Sequence, residues 1–188
     1  MRDLSLHLLD IAQNCMTAKA SKINISICAD RERDLLEMEI TDDGIGMDEG
    51  FLKKVVNPFV TARETRRVGL GIPLFEASAK RASGGLSVTS QKFVGTTVRA
   101  YFKISHIDRL PLGDIAQTLT TLITARPDIV YELVLTNKNQ SFVFNSLEAK
   151  EKLVEVPITE PEVLTWICEY INEGVKTIFG GVLNEILS

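Results

Sequence analysis

The chain carries little of what metal, redox and membrane proteins are built from. Its three cysteines, Cys15, Cys28 and Cys168, are odd in number and widely spaced. They form neither a metal-binding pair nor a disulfide framework, and read as buried thiols in a reducing cytoplasm. His106 and Asp108 are too isolated to read as a site. No apolar run approaches the roughly 18 residues that a membrane span needs. The opening Met1-Arg2-Asp3-Leu4-Ser5 lacks the charged-then-apolar order of a signal peptide. No Gly-x-x-x-x-Gly-Lys-Ser/Thr occurs, and Gly44, Gly46 and Gly50 have the wrong spacing for a dinucleotide fingerprint. An excess of positive charge is missing too. A net charge of -4 argues against nucleic acid or an anionic membrane as a partner.

What is present supports a real core. The 188 residues are 45% hydrophobic and 24% charged, which bounds the chain at one or two domains. Leu4, Leu8, Ile11, Cys15 and Ala18 recur at helical spacing and predict an amphipathic helix from residue 3 to about 20. Beside them runs a polar stripe of Asp3, His7, Asp10, Asn14 and Thr17. Asp10 and Asn14 stand at i and i+4 and so share one face. That face is either solvated or lines a site. In a site, the carboxylate orients water and the amide oxygen ligates a hard cation, which keeps several waters and needs few protein ligands.

Ile23, Ile25 and Ile27 alternate with polar residues and predict a strand. After a charged turn, Leu36 to Thr41 returns as its antiparallel partner. It runs into Asp42-Asp43-Gly44-Ile45-Gly46-Met47, two carboxylates and two glycines one residue apart. Glycines so placed let the backbone turn sharply and approach a ligand closely. A strand-ending Asp-Gly turn is the plainer alternative. Residues 48–56 predict a short helix. The segment from Thr61 to Arg67, with Arg63, Arg66 and Arg67 and almost no apolar residue, reads as a mobile loop. It leads into Gly69-Leu70-Gly71-Ile72 at a helix start, where free N–H groups and the positive dipole end would face an anion. That helix runs to about Ser83, with Pro73 in its first turn and Gly84-Gly85 stopping it. Leu86–Lys92 and Thr96–Ile104 then predict a hairpin through Phe93-Val94-Gly95.

Four motifs in this order resemble the GHKL ATPase superfamily of gyrase B, the Hsp90 chaperone, histidine kinases and MutL. Asp10-Ile11-Ala12-Gln13-Asn14 is similar to its N box. Asp42-Asp43-Gly44-Ile45-Gly46 and Gly69-Leu70-Gly71-Ile72 resemble its two glycine boxes, and Gly95-Thr96-Thr97-Val98 its last box. The resemblance covers residues 3–103 and implies a two-layer α+β sandwich of the Bergerat type with a mixed, mostly antiparallel sheet. It implies ATP and Mg2+ as ligands. Asn14 would ligate magnesium, Asp42 would accept from the adenine amino group with Thr96 nearby, and Gly44 and Gly46 would pass under the base. Met47 would pack on that base, and Gly69, Leu70, Gly71 and Ile72 would line the phosphates. Arg63 falls where many members carry a lid lysine. Asp10 stands where hydrolysing members carry a glutamate base and is one methylene shorter.

Residues 104–188 lie beyond that pattern and read as a small α+β module for dimerisation or partner docking. They predict a helix through Leu112–Ile123 and a hairpin around Asn137-Lys138-Asn139. A capping box at Thr159–Glu162 opens a further helix ending at Gly174, and Gly180-Gly181 break the last segment. Histidine kinases place their phosphoacceptor ahead of the ATP domain, and only His7 stands near here, read as a packed neighbour of Asp10. Two functions stay open: a cytoplasmic ATPase or kinase acting in trans on an unidentified partner, or a nucleotide-gated binding module with little turnover.

Overall fold

Alternating apolar positions make the strands, and three-to-four spacing makes the helices, in one continuous arrangement. The computed structural model describes residues 2–56 and 70–180. In chain order the elements are α1 (Leu4–Thr17), β1 (Lys22–Asp30), β2 (Leu35–Asp42), α2 (Glu49–Val56), α3 (Gly71–Arg81), β3 (Gly85–Gln91) and β4 (Gly95–Lys103). There follow α4 (Ile115–Ala125), β5 (Val130–Asn137), β6 (Ser141–Asn145), α5 (Ser146–Leu153) and α6 (Pro161–Phe179).

The strands form one sheet in the order β3-β4-β2-β1-β5-β6. β1 and β5 pair in parallel, and every other neighbouring pair is antiparallel. One face is apolar: Ile23, Ile25, Ile27, Leu36, Met38, Ile40, Ala100, Phe102, Leu133 and Leu135 are all buried. It packs beneath α1, α3 and α6, with α4 between α1 and α6. The opposite face is polar and partly solvated, with Arg99 pairing Glu37 and Glu39. The result is the expected two-layer α+β sandwich with a mixed sheet. No helix among the described residues is long and apolar enough to cross a membrane.

The family-like pattern ends near residue 103, but the packing does not. β5 extends the sheet from β1, Ile25 against Leu133 and Ile27 against Leu135. The incoming chain also ties down the start of α1, where Leu4 and Ser5 donate to the Pro111 and Leu112 carbonyls at 2.9 Å. Residues 104–180 therefore share one sheet and one hydrophobic core with the first hundred.

Several local expectations change. α6 runs through Gly174 instead of ending there, because that position lies against the Phe142 ring. A Cβ on Gly174 would come within 2.7 Å of the ring. The Thr159–Glu162 capping box does not form: the N-cap is Glu160, with no side-chain bond, and Pro161 opens the helix. Helix α5 had no clear signal in the sequence. Of the three thiols only Cys15 is fully buried; Cys28 and Cys168 are half-buried, and all three are free.

Candidate functional site

On the helix-facing side of the sheet, cross-strand rungs run apolar until the last. Met38–Ala100–Leu86 and Ile40–Val98–Val88 are followed by Asp42–Thr96–Ser90. A polar rung closing an apolar face, under helices, marks a place built to meet something polar. Asp42 is only 6% exposed. Its Oδ1 accepts from the Gly44 N–H at 2.8 Å. The Cys15 thiol donates to the Ile11 carbonyl at 3.2 Å. Burial, and then the negative charge of Asp42, holds that thiol protonated well above the usual range.

The loop that leaves Asp42 is fastened on both sides. Asp43 accepts from the backbone N–H of Ser21 and of Lys22, each at 2.8 Å, and from the Ser21 hydroxyl. Desolvation pushes the Asp43 carboxyl up, but these hydrogen bonds outweigh it and leave it below the ordinary carboxylate value. On the other side, the Met47 N–H donates to Ser90 Oγ at 2.8 Å and the Phe93 N–H to the Ile45 carbonyl at 2.7 Å. Gly46 has φ +60, and a Cβ there would stand 2.0 Å from the Gln91 carbonyl oxygen. Gly95 has φ +136, with the Asp42 carbonyl oxygen 1.9 Å from its would-be Cβ. Only glycine admits the loop and the hairpin this close. Met47 is half-buried and packs against the core.

The second half of the site lies between α1 and α3. A Cβ on Gly71 would come within 3.3 Å of the Asp10 Cβ, 3.5 Å of its Oδ2 and 3.8 Å of Asn14 Nδ2. The first residue of α3 thus sits against the two polar residues of α1 that the sequence singles out. Asp10 is half-buried, and burial raises its carboxyl pKa while positive charge at the N-terminus opposes the rise. Asn14 is exposed. Ile72 is buried at 7% exposure, whereas Leu70, the N-cap of α3, is 68% exposed. His7 is buried and stacks on Phe75 of α3, ring centroids 5.0 Å apart, which fixes the spacing of the two helices.

The structure therefore brings Asp10, Asn14 and Gly71 together, and separately Asp42, Gly44, Gly46, Met47 and Thr96. Arg63 and Gly69, and the whole segment expected as a lid, lie outside the described residues. Ser90 and Asp43 were missed as contributors. Ser90 is an ordinary strand serine in sequence, and only its register opposite Thr96 reveals its place. Among the described residues no three His, Cys, Asp or Glu side chains cluster as a metal site. Asn14, exposed one turn beyond Asp10 on α1, carries a hard amide oxygen of the kind that suits a magnesium ion retaining its waters.

Residues 2–106 match the family described as the histidine kinase-, DNA gyrase B-, and HSP90-like ATPases. The chain belongs to that family of ATP-binding domains. Among curated proteins it is similar to the autoinducer 2 sensor kinase/phosphatase LuxQ. To that of Vibrio vulnificus it is 31% identical over 87 residues, 42% of this chain and 10% of LuxQ. To that of Vibrio harveyi it is 29% identical over 136 residues, 65% of this chain and 15% of LuxQ. The chain thus spans a small fraction of the curated relatives it matches. Among solved structures it resembles the N-terminal domain of a DNA repair protein, with a TM-score of 0.50 at 14% identity. That match covers 76% of this chain and 52% of the other, and shows a shared fold. The Aquifex aeolicus MutL ATPase domain, solved with ADP, gives 0.45 at 14% identity over 81% of this chain and 68% of that one.

Proposed function

We propose that this chain binds ATP with magnesium in the cytoplasm and promotes slow hydrolysis, or transfer of the terminal phosphoryl group to an acceptor on a separate protein. The observation that carries this reading is Asp42, a buried carboxylate closing an apolar sheet face. Its Oδ1 is engaged by Gly44. A buried acceptor at that point selects the exocyclic amino group of adenine, because a ligand without a donor would leave it unpaired.

From there the chain's residues divide the work. Thr96 flanks Asp42 on the same rung. Gly44 and Gly46 keep the backbone low under the base, and Met47 packs against it. The amides of Leu70, Gly71 and Ile72 at the start of α3 face the phosphates with the positive end of the helix dipole. Gly69 and Arg63 would add phosphate contacts from the preceding segment. Asn14 would hold magnesium, which when bound neutralises charge on the phosphates. Asp10 positions the attacking hydroxyl or water and takes up its proton at a carboxylate oxygen. Most of the rate comes from positioning and charge stabilisation.

A second reading, a nucleotide-gated docking module with little turnover, draws on the apolar residues exposed around the site. Leu70, Ile45 and Phe93 are 68%, 52% and 78% exposed. In that reading residues 104–188 serve a protein partner or a second copy, and the exposed, stacked Trp166 and Tyr170 of α6 offer the contact surface.

Calorimetric titration of ATP and GTP, with and without magnesium, tests the first reading on the wild type and Asp42→Ala. The wild type should prefer ATP strongly and require magnesium for full affinity, and Asp42→Ala should lose the preference. Equal affinity of the wild type for both nucleotides would sink it.

A further inference from the structure

We propose that Ser90 is a specificity-determining positioning residue: its hydroxyl forces the Thr96 hydroxyl to act as an acceptor and holds the glycine loop against the β3–β4 hairpin. This rests on the ATP reading above and concerns how the base is told from guanine.

The argument is a count of hydrogens. Ser90 Oγ has three close neighbours. The Met47 N–H donates to it at 2.8 Å, the Gly95 carbonyl oxygen lies at 2.9 Å, and Thr96 Oγ1 at 2.9 Å. A hydroxyl has one hydrogen to give and two lone pairs. The Met47 amide occupies one lone pair. The Gly95 oxygen can only accept, whereas Thr96 can donate, so all three contacts are hydrogen bonds at once only when Ser90 gives its one hydrogen to Gly95. The contact to Thr96 then requires Thr96 to donate into the second lone pair of Ser90. With its hydrogen spent, Thr96 Oγ1 presents only lone pairs to any ligand. Asp42, its neighbour on the rung, is likewise an acceptor when ionised.

The rung therefore offers acceptors alone. An amino group, as on adenine, supplies donors to such a wall, whereas the oxygen at the corresponding position of guanine is an acceptor and is repelled. Without Ser90 the Thr96 hydroxyl could rotate and donate to that oxygen, which would ease the rejection. The same hydroxyl anchors Met47, and through it the loop that Gly46 lets lie against Gln91. Ser90 is half-buried and touches no ligand itself in this scheme, so it acts through Thr96 and Met47.

Ser90→Ala and Ser90→Thr decide the matter, the threonine variant keeping a hydroxyl. Amide hydrogen exchange at Met47 is read on the nucleotide-free proteins, and ATP and GTP affinities by calorimetry. The expected result is faster Met47 exchange in Ser90→Ala and a fall of about tenfold in the ATP-to-GTP affinity ratio, from loss of a fixed acceptor. Ser90→Thr should restore both. If Ser90→Ala weakens ATP and GTP by the same factor, Ser90 only supports the fold and the proposal is overturned. Unchanged Met47 exchange in Ser90→Ala overturns the clamp. A wild type that binds neither nucleotide defeats the ATP reading and this inference with it, whereas a wild type that prefers ATP with an unaltered ratio in Ser90→Ala defeats this inference alone.

Discussion

Gly71 lies directly against Asp10: a methyl group on the first residue of α3 would reach within 3.3 Å of the aspartate Cβ. Together with the His7–Phe75 stack it sets how closely α1 and α3 approach, and in the proposed reading the space in front of the two residues takes the phosphates.

Gly71→Ala should therefore separate stability from function. In a helix, alanine is favoured over glycine by roughly 0.5–1 kcal/mol. The contact at 3.3 Å requires Asp10 to shift by a few tenths of an ångström. The melting temperature should hold or rise while ATP affinity and turnover fall. A variant with wild-type nucleotide affinity would show that the contact does not shape the site.

Asp10 carries the chemistry in the proposed mechanism. Asp10→Asn should keep ATP affinity and lose about 10²–10⁴-fold in turnover, the usual contribution of a general base. Burial raises the Asp10 pKa, so the acid limb of the wild-type rate profile should lie above the ordinary carboxylate value of ~3.9. Asp10→Glu restores the longer side chain and should hydrolyse faster. Phosphate release across pH measures all three; unchanged turnover in Asp10→Asn would favour the nucleotide-gated module.

His7 predicts a pH dependence of stability that is separate from catalysis. Burial chiefly, then the positive N-terminus and Arg81 against an opposing Asp3, lowers its pKa from 6.5 to about 4. Between those values the unfolded chain binds a proton that the folded chain does not. Stability should therefore fall as pH drops from 6.5 towards 4 and gain no further loss from His7 below that. His7→Phe keeps the stack on Phe75 and should flatten this part of a melting-temperature profile. An identical slope in the variant would remove His7 from the account.

Truncation after Lys103 tests whether the family-like segment stands alone. It would strip β1 of its parallel partner and remove Tyr131, Leu133 and Leu135 from the core, each fully buried. Burying one such side chain is worth roughly 1.5–3 kcal/mol, against a total stability of about 5–15 kcal/mol for a typical domain. The truncated chain should lose cooperative unfolding and aggregate. A soluble, ATP-binding fragment would instead place a domain boundary at residue 103.

Local pattern carried much of this fold. The alternation in Ile23, Ile25 and Ile27, the helical stripe from Leu4 to Cys15 and the glycines at 44, 46 and 95 are signals a single sequence displays. What it hides is non-local. Nothing in Val130–Asn137 says that it pairs with β1 rather than only with β6. Gly174 reads as a helix stop until Phe142 is known to fill the space beside it. Ser90 becomes visible only once the register sets it opposite Thr96. The Asp10 and Asn14 pair was legible because both ends of the relationship lie on one helix.

The parallel pairing of β1 with β5 sets an order of events during synthesis. Ile25 and Leu133 are neighbours in the sheet but more than a hundred positions apart in the chain. At ~5–20 residues per second, β1 leaves the ribosome roughly 5 to 20 s before its partner strand has been made. Until then β2 is the one sheet neighbour of β1 that has been made, and the other edge of β1 would expose a row of unsatisfied N–H and C=O groups that can bind another nascent strand. The window for intermolecular strand exchange closes only when residues 130–137 arrive. Slowing translation between codons 42 and 130 should widen it, and chaperones that bind extended apolar segments should act on this chain before release rather than after.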